Sequence, residues 1–258
     1  MKTIHTSYFL LVMLMTFLSI TSCRQDTPID NFDSVLDIPD TDGLGEYGFP
    51  TGIDINDNGM VIGWPSESNG PREIGIENPS SGFAIHISGS RYVNLSPSDA
   101  FCSWPYDINE SDMVVGGYLP TKYTENAEYE ILPTYAFVIK ADGTGYENLH
   151  DSSYRSTFAS HINDEGDIFG WFEQDESLYA CRFYQDGTPA TELRFHGYSE
   201  ISIMAVNNTT AVLEAKKLTD LSRVILTYTI ADESISELPF DVIQASSARI
   251  HAIDNEGR

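Results

Sequence analysis

Gly52–Trp64 reads GIDINDNGMVIGW. A short apolar run meets the polar turn Asn56-Asp57-Asn58-Gly59, and a second β-prone run, Met60–Ile62, follows. Asn at the head of such a turn hydrogen-bonds the backbone two residues on, and Gly supplies a positive φ at its end. The pattern predicts a β-hairpin. It returns at Tyr106–Tyr118 (YDINESDMVVGGY), at Ser160–Phe172 (SHINDEGDIFGWF, with the turn Asn163-Asp164-Glu165-Gly166) and, degenerate, at Ala205–Ala215 (AVNNTTAVLEA). The anchor residues Asn56, Asn109, Asn163 and Asn207 are 53, 54 and 44 residues apart. A fifth copy begins at Ala252 with Asp254 in the anchor place, and Arg258 falls where its second strand should start.

A second signature follows each hairpin: Gly82–His86, Tyr135–Ile139, Tyr179–Phe183 and, more loosely, Val224–Ile230. After each comes a polar turn and a short run ending in Leu95, Leu149, Leu193 or Leu238. Each unit therefore holds about four short strands, and no capped amphipathic helix interrupts them. The expected class is all-β: four antiparallel four-stranded units and an incomplete fifth, β-propeller-like, because one such unit cannot bury its apolar faces alone. The repeat domain is expected over 46–258, truncated at its C-terminal end. Trp64, Tyr118 and Trp171, placed after the glycines that close the second strands, are assigned to packing between units. The alternative is an aromatic rim for a sugar or peptide.

Net charge is −25. That excludes nucleic acid, whose phosphates need clustered Lys and Arg, and reads most simply as a solvated, soluble surface. Arg24 to Gly45 is polar, acidic and broken by Pro28 and Pro39, which predicts a flexible tether over 23–45. Ahead of it, Lys2 and the apolar run Tyr8–Ile20, about 13 residues against the roughly 20 of a membrane span, read as a signal peptide over 1–22. Its end, Ile20-Thr21-Ser22-Cys23, resembles a bacterial lipobox. The resemblance implies cleavage before Cys23, lipid on its sulfur, and a membrane as partner. Arg24 in place of Asp does not resemble an inner-membrane retention signal, which leans toward the outer membrane of the envelope. Cys102 and Cys181 occupy different repeat positions and are expected as two free, buried thiols, although export permits a disulfide.

The apolar-Asn-x-x-Gly hairpin and the strand carrying Phe83-Ala84-Ile85, Tyr135-Ala136-Phe137 and Tyr179-Ala180-Cys181 resemble the bacterial extracellular HAF repeat. That resemblance covers about 45–258 and implies a surface or extracellular protein of repeated β units. It brings no catalytic residues. Gly116-Gly117-Tyr118 is similar to the paired glycines of kelch repeats, but the pair occurs once.

Candidate chemistry is sparse. Asp54-Ile55-Asn56-Asp57-Asn58-Gly59 matches the first half of an EF-hand loop, making Asp54, Asn56 and Asn58 a weak calcium site. Pro65 stands where the closing Glu belongs, and Asp107, His161 and Ala205 replace Asp54 in the other units. No other cofactor is expected. His86, His150, His161, His196 and His251 lie singly, which gives no support for zinc. No nucleophile elbow, phosphate-binding loop or dinucleotide fingerprint occurs. Three functions remain: a non-enzymatic scaffold binding a glycan, peptide or envelope protein; a carbohydrate hydrolase with a carboxylate pair; or a structural envelope component.

Overall fold

The computed structural model describes residues 49–66, 81–89, 92–121 and 132–238, within a compact unit spanning Leu36–Arg258. The signal peptide, the tether, Cys23 and the fifth hairpin lie outside the described residues. All regular structure described is β, in four antiparallel sheets of four strands. The first holds β1 (Phe49–Ile55), β2 (Met60–Ser66), β3 (Phe83–His86) and β4 (Val93–Asn94). The second holds β5 (Ala100–Ile108), β6 (Met113–Pro120), β7 (Tyr135–Lys140) and β8 (Glu147–Asn148). The third holds β9 (Ser156–Ile162), β10 (Ile168–Gln174), β11 (Ser177–Phe183) and β12 (Thr191–Glu192). The fourth holds β13 (Tyr198–Val206), β14 (Thr210–Lys217), β15 (Arg223–Thr229) and β16 (Ile235–Glu237). Every sheet is a meander whose strands pair in chain order, and β1, β5, β9 and β13 lie successively side by side. This is the propeller-like, four-unit architecture that the repeats predict.

Apolar clusters fill the spaces between sheets. Ile62, Ala84 and Leu95 of the first unit pack with Tyr118, Phe137 and Ile139 of the second. Val115 and Val138 meet Ile168, Phe172 and Cys181 of the third. Phe169 and Ala180 meet Leu213, Leu226 and Tyr228 of the fourth. The leucines closing each unit are pinned by their own backbone: the N–H groups of Leu95, Leu149, Leu193 and Leu238 donate to the carbonyls of Gly82, Ala136, Ala180 and Ile225 at 2.8–3.0 Å. Cys102 and Cys181 are free and buried, and burial pushes the Cys102 thiol up to about 12.

Register corrects two sequence alignments. Gly63 pairs with Phe83 in the first sheet, Gly116 with Phe137 in the second, and Gly170 with Cys181 in the third. Tyr135-Ala136-Phe137 therefore corresponds to Ser81-Gly82-Phe83, two residues before Phe83-Ala84-Ile85. The centre of that strand must be small. A Cβ on Gly82 would stand 2.2 Å from the Cδ of Pro105 in the next sheet. The same register makes Gly117, and not Tyr118, the counterpart of Trp64 and Trp171. One residue along a strand reverses the face. Tyr118 is accordingly buried, at 1% exposure, against Tyr135 and Phe137. It cannot form an exposed rim. Over Gly117 lies Phe158 of the third sheet, 2.3 Å from where a Cβ would be.

The second strands also run past their glycines, to Ser66, Pro120 and Gln174. Those glycines answer a β-bulge that recurs in all four first strands, leaving Ile53, Tyr106, Ser160 and Met204 unpaired. Bulging turns a carbonyl toward the neighbouring strand. A Cβ on Gly116 would sit 2.1 Å from the Trp104 oxygen, and one on Gly170 would sit 2.0 Å from the Phe158 oxygen.

Candidate functional site

The repeated polar residues converge at one end of the sheets, where first strand turns into second. The anchor asparagines are 3–6% exposed, and the first three do two jobs while Asn207 shares the first. Inside its own hairpin, Oδ1 accepts the backbone N–H that opens the second strand: Met60 at 3.0 Å, Met113 at 2.9 Å, Asp167 at 2.7 Å and Thr210 at 2.7 Å. Toward the next sheet, Nδ2 donates to the carbonyl of the following anchor. Asn56 reaches Asn109 at 2.9 Å, Asn109 reaches Asn163 at 2.9 Å, and Asn163 reaches Asn207 at 3.2 Å. The sequence reading found the turn role and missed the link between sheets. The signal was present in the recurrence of a full amide, since Ser or Asp closes the turn equally well and lacks the second donor.

A parallel row runs one residue later. The backbone N–H of Asp57 donates to the Glu110 carboxylate at 3.0 Å, that of Glu110 to Asp164 at 3.0 Å, and that of Asp164 to the Asn208 amide oxygen at 2.9 Å. Buried hydroxyls make a third connection deeper in the strands. Ser103 accepts from the Gly82 N–H and Thr157 from the Ala136 N–H, both at 2.8 Å. The corresponding residue of the fourth sheet, Ile201, has no hydroxyl.

Just behind the bulges lie Asp54 on β1, Asp107 on β5 and His161 on β9. Asp54 Oδ2 accepts the Ile108 N–H at 3.2 Å, and Asp107 Oδ2 accepts the Ile162 N–H at 2.7 Å. Burial, followed by repulsion from and hydrogen bonding with Asp54, raises the Asp107 carboxyl well above the usual carboxylate range. Burial lowers His161 to about 4, so the ring is neutral near pH 7. Nδ1 lies 2.8 Å from the Ser160 hydroxyl.

Of the calcium candidates, Asn56 and Asn58 meet at the Asp112 carboxylate, to which both donate from Nδ2. Asp54 is bonded to Ile108. Asn56 Nδ2 reaches the Asp112 carboxylate, at 2.7 Å, besides Asn109. Asn58 Nδ2 donates to the Glu110 carbonyl at 2.9 Å. Asp54 Oδ2 and Asn56 Oδ1 accept backbone N–H groups, and both asparagines face the next sheet with Nδ2, a donor that cannot ligate calcium. Among the described residues, no group of three or more His, Cys, Asp or Glu is arranged to hold a metal ion. Gly59 and Gly166 take φ of 77° and 87°, as the turns require.

Of the expected aromatics, Trp64 and Trp171 are half-buried. Trp171 lies nearly parallel to Phe158, with centroids 5.8 Å apart, and Phe158 meets Tyr106 edge-on at 5.6 Å. The Tyr106–Phe158 contact joins the second and third sheets, whereas Trp171 stacks on Phe158 within its own sheet. A shallow groove of about 320 Å³ opens between the first two sheets beside their turns, lined by Met60, His86, Val93, Ser111, Asp112 and Lys140. His86 Nε2 lies 2.9 Å from the Asn58 carbonyl. The groove does not include the Asp54–Asp107 pair. Among the described residues no helix is long and apolar enough to cross a membrane.

No protein-family model matches the sequence, and no curated protein matches it. Some solved structures align with part of the chain. A structure assigned as TolB from Agrobacterium tumefaciens aligns at 7% identity and a TM-score of 0.47, over 70% of this chain and 61% of that one. TolB from Acinetobacter baumannii aligns at 8% and 0.46, over 74% and 43%. A chain of a nidogen/laminin complex aligns at 11% and 0.39, over 78% and 83%. The chain thus spans less than two thirds of the length of either TolB structure.

Proposed function

We propose that this chain is an exported lipoprotein, held to the cell envelope by lipid on Cys23, whose β-repeat domain is a scaffold that binds a glycan, a peptide or an envelope protein. One observation carries the reading. The residues that repeat are engaged in joining each sheet to the next, so repetition builds a rigid frame, and the unlike residues of each unit are left for recognition. That division is characteristic of repeat scaffolds. The experiment is capture with the intact mature protein, using glycan arrays, peptide libraries and solubilised envelope proteins as separate probes. Saturable binding to one class supports the scaffold. Failure to bind any of the three, with the protein folded, overturns it in favour of a purely structural envelope component.

A hydrolase acting on carbohydrate is the second reading, favoured by the Asp54–Asp107 carboxyl pair with its raised acid. It predicts that Asp107→Asn abolishes glycosidase turnover while leaving the fold intact. In the scaffold reading the same substitution changes only stability.

A further inference from the structure

We propose that the groove between the first two sheets receives a lysine side chain of a polypeptide partner, with its ammonium on Asp112; the inference deepens the scaffold reading above and rests on it. The β5–β6 turn carries Asp112 where the β1–β2 and β9–β10 turns carry Gly59 and Gly166. All three residues stand in the left-handed region, at φ 57°, 77° and 87°, which costs a residue with a Cβ more than it costs glycine. Joining the sheets does not demand the exchange. Where Gly166 holds the place, Asn109 still reaches the Asn163 carbonyl at 2.9 Å. What Asp112 adds is a carboxylate that is half used. Asn56 and Asn58 both donate to its Oδ1, at 2.7 and 3.2 Å, and no described residue donates to Oδ2. Asp112 lines the groove.

Charge says what sign of group enters. The charged lining of the groove, among the described residues, is Asp112, Lys140 and Asp142. Hydrogen bonds from Thr144, and then the charge of Lys140, hold the Asp142 carboxyl below its ordinary range, so Lys140 and Asp142 offset one another. His86 is neutral. The Ser88 N–H donates to its Nδ1 at 3.1 Å, which leaves the ring proton on Nε2, 2.9 Å from the Asn58 carbonyl. Asp112 is the charge left over. Asp57 and Glu110, on the same two turns, add negative charge and are held together by the Asp57 N–H on the Glu110 carboxylate at 3.0 Å. A cation complements this end. An ammonium needs one acceptor oxygen, as Oδ2 offers, whereas the guanidinium fork pairs best with two.

Shape agrees. The groove, of about 320 Å³, is at the small end of ligand pockets and suits one long side chain. Met60, Val93 and Ala141 give its walls apolar surface for the methylenes, as the stem of a lysine prefers. Exposed large apolar side chains stand at both ends of the sheets, Leu178, Leu218 and Leu221 at one and Ile55 and Ile87 at the other. The asparagine end differs in having the groove beside them. Ile87, half-exposed, covers Gly59, its Cγ1 2.8 Å from where a Cβ would be, next to the groove residues Met60 and His86. It extends the contact to residues flanking the lysine, which a bare amine lacks.

The test titrates the intact mature protein, by calorimetry, with capped peptides of matched flanks that carry lysine, arginine, norleucine or glutamate at the centre, and with butylamine as the bare side chain. The lysine peptides are expected to bind tightest, and added salt to weaken them. Asp112→Gly restores the residue of the first and third units and so keeps the turn. It should lower the affinity for lysine peptides roughly tenfold or more, as should Asp112→Asn. Norleucine peptides or butylamine binding as tightly as lysine peptides, arginine peptides binding more tightly, or lysine binding unchanged in both variants overturns the proposal. Peptide, glycan or envelope-protein binding that survives Asp112→Gly refutes the groove and leaves the scaffold standing. Folded protein that binds none of these probes refutes both.

Discussion

The junctions joining the first three sheets and the junction leading into the fourth hold together by different means. Between the first and second sheets, and again between the second and third, a buried amide, an acidic side chain on a turn N–H and a buried hydroxyl all cross the gap. Into the fourth, the amide and the turn link persist, at 3.2 and 2.9 Å, but Ile201 stands in place of the hydroxyl. Apolar packing is broader there. Phe195, Ile201, Ile203 and Ile235 border a cluster that includes Leu213, Leu226 and Tyr228. A repeat that drifts from its consensus keeps its place when dispersion and apolar burial replace directional bonds.

Three experiments break or sharpen that contrast. The largest effect is expected at Gly170, where a methyl group would overlap the Phe158 carbonyl oxygen. Because backbone and not a flexible side chain is in the way, Gly170→Ala should cost more than about 3 kcal/mol or abolish folding. Denaturant unfolding measures it, and a wild-type midpoint would refute the bulge geometry.

Next comes a matched pair. Asn109→Ala takes the side-chain acceptor from the N–H groups of Ser111 and Met113 and removes one of the two donors to the Asn163 carbonyl, at about 1–3 kcal/mol in total. Leu226→Ala in the fourth sheet removes a fully buried side chain, at about 2–5 kcal/mol. The polar deletion should loosen the second and third sheets selectively, and the apolar one the fourth, as read by hydrogen exchange. Identical exchange patterns would show that the two junctions do not differ.

The smallest effect is in pH dependence. Asp107 is raised in the folded state, so its stabilising contribution is complete below the ordinary carboxylate range and is lost as pH rises through the elevated folded value. His161 is lowered from 6.5 to about 4, so its contribution is complete above pH 6.5 and is lost as pH falls through about 4. Asp107→Asn should flatten the alkaline side of the stability profile, and His161→Gln the acid side. Unchanged slopes in both variants would remove the carboxyl pair and the neutral imidazole from the account.

The hairpins, the four-strand units and the closing leucines were legible because each leaves a local signature: a turn composition, a period of two, a leucine at fixed distance. The bulges were not. Ile53, Tyr106, Ser160 and Met204 share no chemistry, since a bulge is defined by what the partner strand does. Tyr118 was misplaced for the same reason. Aligned on composition it matches Trp64 and Trp171, yet one residue of offset puts it on the opposite face of its strand. Asp54, Asn56 and Asn58 looked like half of a calcium loop because sequence adjacency resembles a ligand set, and Asp107 was read only as the counterpart of Asp54 in the second unit. Their actual acceptors and donors lie some 54 residues away, on the next sheet.

Alone, the sequence determined the β class, the unit boundaries and the identity of the turn residues, because those follow from backbone preferences acting over a few residues. The tertiary structure decided that the same turn residues tie each sheet to its successor and that Asp54 and Asp107 each accept a backbone N–H from the next sheet. Both depend on distances between units, which no local pattern encodes.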